Sequence, residues 1–376
     1  MSNILILDGD HKNTLAIIRF LGKKGEFNLD TLSHTRNSIC FYSKYVNEKF
    51  IVQNPKTNPT GYLKDLKDIL MKKKYLLIIP VSFISFQLCS QFQWELKKIT
   101  NLIIADFESI QIASNKNLTY ALAENLGIPY PKVYKFNSER ELMSLDLEFP
   151  LVIKAPLELG KNLVKYVNNI GELKMDYGNM IKENEFKGHN PIVQKFIIGD
   201  GVGFFAFYKS GKCENYFMHR RVREYPCSGG SSVVAEAYND KEILANGKKI
   251  LDELKWEGVA MVEFKKDNST GMYNLMEINA KFWGSLDLAL VCGADFPGLM
   301  IDSALGKEIV PWTYKYKRFQ WILNGDLFHL LERPGIFFKF IKDIFQSEND
   351  IWLTDIKPNL FQLLYIPVFY FKKWFK

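Results

Sequence analysis

Continuous apolar runs alternate with helix-period segments over the first hundred residues. NILILDGD (3–10) predicts a buried strand, HKNTLAIIRFLGKKG (11–25) an amphipathic helix closing at Gly25, and EKFIVQNP (48–55) a second short strand. GYLKDLKDILMKKK (61–74) repeats apolar residues at helical spacing, and YLLIIPVS (75–82) is a fully apolar strand. Strands without polar alternation, separated by helices, predict a parallel sheet covered on both faces. No GxGxxG follows the first strand, so Gly9 is a weak dinucleotide signal. The region reads as a scaffold whose strand ends line part of a substrate cleft.

From about residue 106 the pattern changes. SNKNLTYALAENLGIPYPKVYKF predicts a helix capped by Ser114 and ending at Gly127, then a proline-containing link into a strand. LVIKAP puts Lys154 in an apolar strand, where an ammonium either snorkels to a sheet edge or points into a cleft toward phosphate. NPIVQKFIIGDGVGFFAFYKSGKCENYF reads as a strand, a turn at Gly199, Gly201 and Gly203, and a hairpin. Arg220, Arg221 and Arg223 precede a donor-rich Gly229–Gly230–Ser231–Ser232 loop, a combination suited to anionic substrates. Asn239 to Leu254 predicts a polar-faced helix.

That helix leads to the most telling segment. VAMVEFKKD and MYNLMEINAKFWGS are joined by turn formers ending at Gly271, which predicts an antiparallel hairpin. Strand alternation sets Glu277 and Asn279 on one face, and the fold-back brings Glu263 toward them. Carboxylates among apolar neighbours are costly to bury without a compensating cation. Three hard oxygen ligands without His or Cys suit magnesium, with manganese as a substitute. The plainer reading is a solvated hairpin edge.

Composition narrows the class. The chain has 376 residues, enough for two or three domains, with 47% hydrophobic and 24% charged residues. Five scattered cysteines form no CxxC, so neither a disulfide framework nor a zinc site is indicated. MSNILILDGD has no basic segment before its apolar run, which predicts a cytoplasmic chain without a signal peptide. A net charge of +7 without interleaved aromatic and basic motifs argues against nucleic acid as a partner.

In this order, SNKNLTYALAENLGIPYPK, LVIKAP, IVQKFIIGDGVGFF, RVREYPCSGGSS and VEFKKDNSTGMYNLMEINAKFWGSLDLAL resemble an ATP-grasp ligase from about Ile4 to Pro311. The branch is similar to carbamoyl-phosphate synthase large-subunit domains and is often described as carboxylate–amine ligases. The resemblance implies an α/β and α+β fold: a Rossmann-like domain (1–105), a small ATP-grasp lobe (106–190), a large lobe with the metal site (191–310) and an aromatic, basic helical extension (311–376). It implies ATP and magnesium as cofactors. Lys116 and Lys154 would contact phosphates, Gln194, Lys195, Phe196 and Ile197 would read adenine, and Asp200 would face the ribose. Glu263, Glu277 and Asn279 would hold the metal, while Arg223 and Lys281 would lie near the transferring phosphoryl group. Arg221, Gly229, Gly230 and Ser231 would bind substrate. The implied reaction activates a carboxylate as an acyl phosphate and then joins it to an amine.

The chain also departs from the pattern. LELGKNLVKY offers only Gly160 where a glycine-rich phosphate loop is usual, which shifts weight to the charge of Lys161. Gln194 replaces a common carboxylate, though its side-chain carbonyl can accept from adenine's amino group. Lys281 stands where arginine is frequent and keeps only the charge. Cys227, Ser231 and Ser232 have no histidine nearby in sequence and read as loop residues.

Residues 311–376 carry 18 of the 54 aromatics, with 10 basic against 6 acidic side chains. The final apolar stretch is too short to span a bilayer, which takes ~20 residues. Trp374 with Lys372, Lys373 and Lys376 suits an anchor at the inner face of an anionic membrane; packing against the ligase lobes is the alternative. That choice bears on substrates, which would be small-molecule or glycan-linked, including a cell-envelope precursor. A nucleotide sensor or scaffold, and a small-molecule kinase, are the competing functions.

Overall fold

The computed structural model describes residues 1–158, 163–183, 186, 188–227 and 229–364. Three sheets organise it. The first has the order β3-β2-β1-β4, all parallel, from β1 (Asn3–Ile6), β2 (Asn28–Ser33), β3 (Val46–Ile51) and β4 (Leu77–Ile79). β2 escapes the hydrophobic pattern because Asp30, Thr31 and Ser33 interrupt it. Those polar groups are buried and satisfied: Asp30 accepts from Lys73 (2.6 Å), Tyr75 (2.7 Å) and the backbone N–H of Glu48 (3.0 Å). The expected helix runs Lys12–Lys24 and closes on Gly25 at φ 69°, a left-handed cap that favours glycine.

A second sheet, β5-β8-β6-β7, is antiparallel and comprises β5 (Val133–Tyr134), β6 (Leu151–Lys154), β7 (Val164–Val167) and β8 (Ile192–Lys195). It has its own core of Leu142, Leu151, Ile153, Val167, Leu173, Tyr177 and Val193. The helix feeding it starts at Lys116, and its cap is Asn115 rather than Ser114. The Asn115 side chain accepts from the N–H groups of Asn117 and Leu118. Ser114 instead ends the preceding helix, Phe107–Ser114.

The third sheet has seven strands in the order β13-β12-β9-β10-β11-β14-β15. They are β9 (Gly199–Lys209), β10 (Lys212–Tyr225), β11 (Ser231–Ala237), β12 (Gly258–Asp267), β13 (Tyr273–Asn279), β14 (Arg318–Gln320) and β15 (Glu348–Asn349). Its apolar faces share cores with the first sheet: Leu5 and Ile78 belong with Phe204 and Trp256, while Ile4 and Ile6 belong with Phe205, Phe207 and Trp321. The parallel sheet and the large sheet are therefore joined through common apolar packing, and the small antiparallel sheet stands apart.

Two expectations change here. The Gly199, Gly201, Gly203 series forms no turn; it opens the long strand β9. Nor is the C-terminal region purely helical. β14 and β15 extend the large sheet, with helices Leu327–Glu332 and Phe337–Gln346 between them.

Candidate active site

The hairpin forms as its sequence predicts. β12 and β13 pair antiparallel with Glu263 directly opposite Glu277 and Met261 opposite Asn279. The three oxygen-bearing side chains thus share one face. Both carboxyl groups are half-buried, and cations compensate them. Arg221 Nη2 lies 2.6 Å from Glu263, and Lys116 Nζ 3.5 Å from Glu277. Asn279 Nδ2 donates to Glu277 (3.0 Å), and Lys281 Nζ donates to Asn279 Oδ1 (3.2 Å).

Arg221 reaches Glu263 across Gly201. β9 separates β10 from β12, and a Cβ on Gly201 would sit 2.8 Å from Arg221 Cδ. The glycine leaves the guanidinium a path across the strand. Arg221 Nη1 also donates to Gly230 O (3.1 Å), so one arginine ties Gly230 to Glu263. Gly229, at φ 126°, approaches the small antiparallel sheet closely: a Cβ there would lie 2.2 Å from Tyr166 Oη on β7.

Lys116 and Lys154 meet through backbone bonding. The Lys116 N–H donates to Pro156 O (2.9 Å), docking the helix start beside the end of β6. Lys154 is buried, lines the cleft and has no ion-pair partner within 4 Å among the described residues. Burial pushes its ammonium down to about 8, against the pull of Glu277. For Glu277, burial acts upward, but Lys116 and Lys154 overcome it and hold the carboxyl at about 2. Burial raises Glu263, with Arg221 opposing and Glu277 adding to the rise.

These groups line one cleft of about 400 Å³. Lys116, Lys154, Arg221, Gly229, Gly230, Ser231, Glu263, Glu277, Asn279 and Lys281 all face it. Gln194, Lys195, Phe196, Ile197 and Asp200 lie outside this lining. Lys195 is exposed and pairs with Glu148 at 2.9 Å, Ile197 is buried, and Asp200 is exposed at the start of β9. Phe196 meets Tyr166 edge-on at 5.4 Å, with Lys265 over its ring at 4.7 Å. Gln194 is fully buried, with Oε1 3.0 Å from the Tyr120 hydroxyl, which is also 3.0 Å from Met276 O. One phenolic hydrogen cannot serve both acceptors, and Gln194 Nε2 has no partner among the described residues. Turning the amide over lets Nε2 donate to Tyr120 and frees the carbonyl. Lys161 lies outside the described residues.

Arg223 is elsewhere. It is buried, donates to Asp326 at 2.8 and 2.6 Å, and pairs with Asp343 at 2.5 Å. Register shifts between Arg221 and Arg223 and between Arg223 and Glu224 break strand alternation. Arg221 and Glu224 therefore face the cleft while Arg223 turns away, a bulge that residue spacing alone conceals.

Several cleft residues were not anticipated. Lys265, Glu224, Tyr166, Trp283 and Asn13 line it, and Asn13 also donates to Phe282 O (3.1 Å) from the first helix. Alternation along β12 puts Lys265 on the face of Glu263, a signal present in VEFKKD. Cys227, expected to lack a histidine, has His329 Nδ1 at 3.3 Å. That nitrogen is also 2.7 Å from Glu224 O, so its proton goes to the carbonyl, and the accepting nitrogen, Nε2, is 4.0 Å from the thiol. Burial and Glu332 raise the thiol further.

A sequence model of the family "ATP-grasp in the biosynthetic pathway with Ter operon" matches residues 211–322, the span holding β11, β12 and β13. The biotin carboxylase domain of Hydrogenobacter thermophilus 2-oxoglutarate carboxylase, solved with MgADP and bicarbonate, superposes with a TM-score of 0.67 at 15% identity. It covers 84% of this chain and 73% of that one. The chain has an ATP-grasp fold. An L-amino acid ligase from Bacillus licheniformis is similar in fold at TM-score 0.62 and 16% identity, over 81% and 74% of the two chains. By sequence, a D-aspartate ligase of Enterococcus faecium is 25% identical over 262 residues, 64% of this chain. The aligned part is 62% of that relative's length.

Proposed function

We propose that this ATP-grasp chain is an ATP-dependent carboxylate–amine ligase. One observation carries the reading: four lysines, an arginine and a facing carboxylate pair with an amide converge on one cleft. A carboxylate oxygen attacks the γ-phosphorus of ATP, the bond to the bridging oxygen breaks, and ADP leaves. The amine nitrogen then attacks the acyl carbon, phosphate departs, the nitrogen loses its proton and an amide remains. Such chemistry asks for positioning and charge neutralisation rather than a protein nucleophile.

The residues fit a hard divalent cation. Among the described residues no group of three His, Cys, Asp or Glu could hold one. The donor set is instead Glu263, Glu277 and the Asn279 carbonyl, whose present partners, Arg221, Lys116 and Lys281, mark an unmet demand for positive charge. These three would hold magnesium, which supplies charge neutralisation at the nucleotide phosphates. Lys116 and Lys154, with Lys161 from the loop, would contact the phosphates. The Gln194–Ile197 stretch would accept adenine, Asp200 the ribose, and Lys281 the acyl phosphate. Arg221 takes the role expected of Arg223, since it is the arginine that lines the cleft. Gly229, Gly230 and Ser231 would line the substrate side.

Amino acids are the first substrates to try, because both ligases reported above are named for them. A cell-envelope precursor as the other substrate, with the enzyme in the cytoplasm and touching the inner membrane face, would employ the aromatic, basic C-terminal segment. No described helix is long and apolar enough to cross a membrane. A screen of amino acids and carboxylates for stimulated ADP release, with product mass, tests the reading. A product heavier by one condensed amine supports it; a product heavier by one phosphate makes the protein a kinase. Nucleotide binding without turnover makes it a sensor.

A further inference from the structure

The helix Phe337–Gln346 is turned inside out. Its one acid, Asp343, faces inward and is buried beneath Arg223 (2.5 Å) and Arg318 (3.0 Å), with Phe340 buried beside it. Its outward face is apolar: Phe337, Phe338, Ile341 and Phe345 recur at helical spacing, with Phe338 84% and Phe345 83% exposed. The exposed charges between them are Lys339 and Lys342. A helix covered by water has the opposite arrangement. The segment that follows exposes Leu353, Leu360 and Leu364 as well.

We propose that this face docks on an anionic lipid bilayer, with the phenylalanine rings at the acyl boundary and Lys339 and Lys342 on lipid phosphates. It rests on the peripheral-membrane part of the functional reading and names the surface responsible. Charge selects the occupant. A second copy seated symmetrically would bring these lysines against their own counterparts. Residues 365–376 contain three lysines and no acid, so they carry the same sign and are poor cover for this face. Apolar area flanked by lysines, without exposed acids on the helix, matches a negatively charged interface.

The test is sedimentation of the full-length protein with vesicles of phosphatidylcholine, with or without phosphatidylglycerol. The wild type should partition at least about tenfold better onto anionic vesicles, and Phe338→Ser with Phe345→Ser should lose at least about tenfold. ADP formation on soluble substrates should be unchanged in that variant, which shows that it is folded. Full-length Lys372→Glu, Lys373→Glu, Lys376→Glu should keep most of the binding. Normal binding by the phenylalanine variant, with loss in the lysine-tail variant, would overturn this surface while leaving the peripheral reading in place. No binding by the wild type would remove both. Equal binding to neutral vesicles, or a wild-type dimer that the phenylalanine variant dissociates, would also overturn it.

Discussion

Two buried charge clusters sit on neighbouring parts of β10 and differ in completeness. Around Arg223 the network is closed. Its guanidinium is matched by Asp326 and Asp343, Asp343 also accepts from Arg318, and Gln320 Nε2 donates to Asp326 (2.7 Å). Around Arg221 the network is open. Lys154 lacks an ion-pair partner among the described residues, and Lys116 is a long 3.5 Å from Glu277. A closed network makes a scaffold, because each charge is already compensated. An open one is prepared for a charged visitor. Two residues of separation on one strand thus divide a closed cluster from an open one.

The comparison can be broken most severely at Glu277. Glu277→Gln should lower magnesium-dependent ADP formation at least about 100-fold while leaving the melting temperature near wild type. Turnover and calorimetry on one preparation check both halves. Arg223→Ala should do the converse, costing about 3–5 kcal/mol of stability by leaving Asp326 buried without a cation and Asp343 with Arg318 alone. Urea unfolding measures it, and a loss under 1 kcal/mol would show that the cluster is not structural.

Smaller effects sharpen the contrast. Gly201→Ala should crowd Arg221 off Glu263 and reduce turnover about tenfold, with little change in stability. Lys154 gives a pH signature. Its ammonium is lowered to about 8 in the free protein, so it is charged below that pH and loses its proton above it. Nucleotide affinity should therefore fall as pH rises through about 8, and Lys154→Arg should flatten that fall. Titration calorimetry from pH 7 to 9.5 decides; a flat wild-type profile would remove Lys154 from the phosphate site.

Much of this was legible early. The hairpin, the parallel order of the first sheet and the mid-strand Lys154 follow from apolar periodicity, turn residues and the cost of burying charge. β2 was hidden because its buried Asp30 and Thr31 are satisfied by distant partners, Tyr75 and Lys73 for the acid and Ile6 O for the hydroxyl. The glycine series misled for a related reason. Glycine marks turns, but here it clears a path for a side chain from the adjacent strand.

The amino-acid order by itself determined which residues share a face within one element: Glu277 with Asn279, and the apolar stripe of 337–345. Those relations depend only on the two-residue and 3.6-residue repeats, which are local. Tertiary structure decided what faces what across elements. It alone brought Arg221 to Glu263, Lys116 to Lys154 and His329 to Cys227, and it alone turned Arg223 away through a bulge. The reason is that strand register and irregularity are set by pairing partners far along the chain, and no local repeat encodes them.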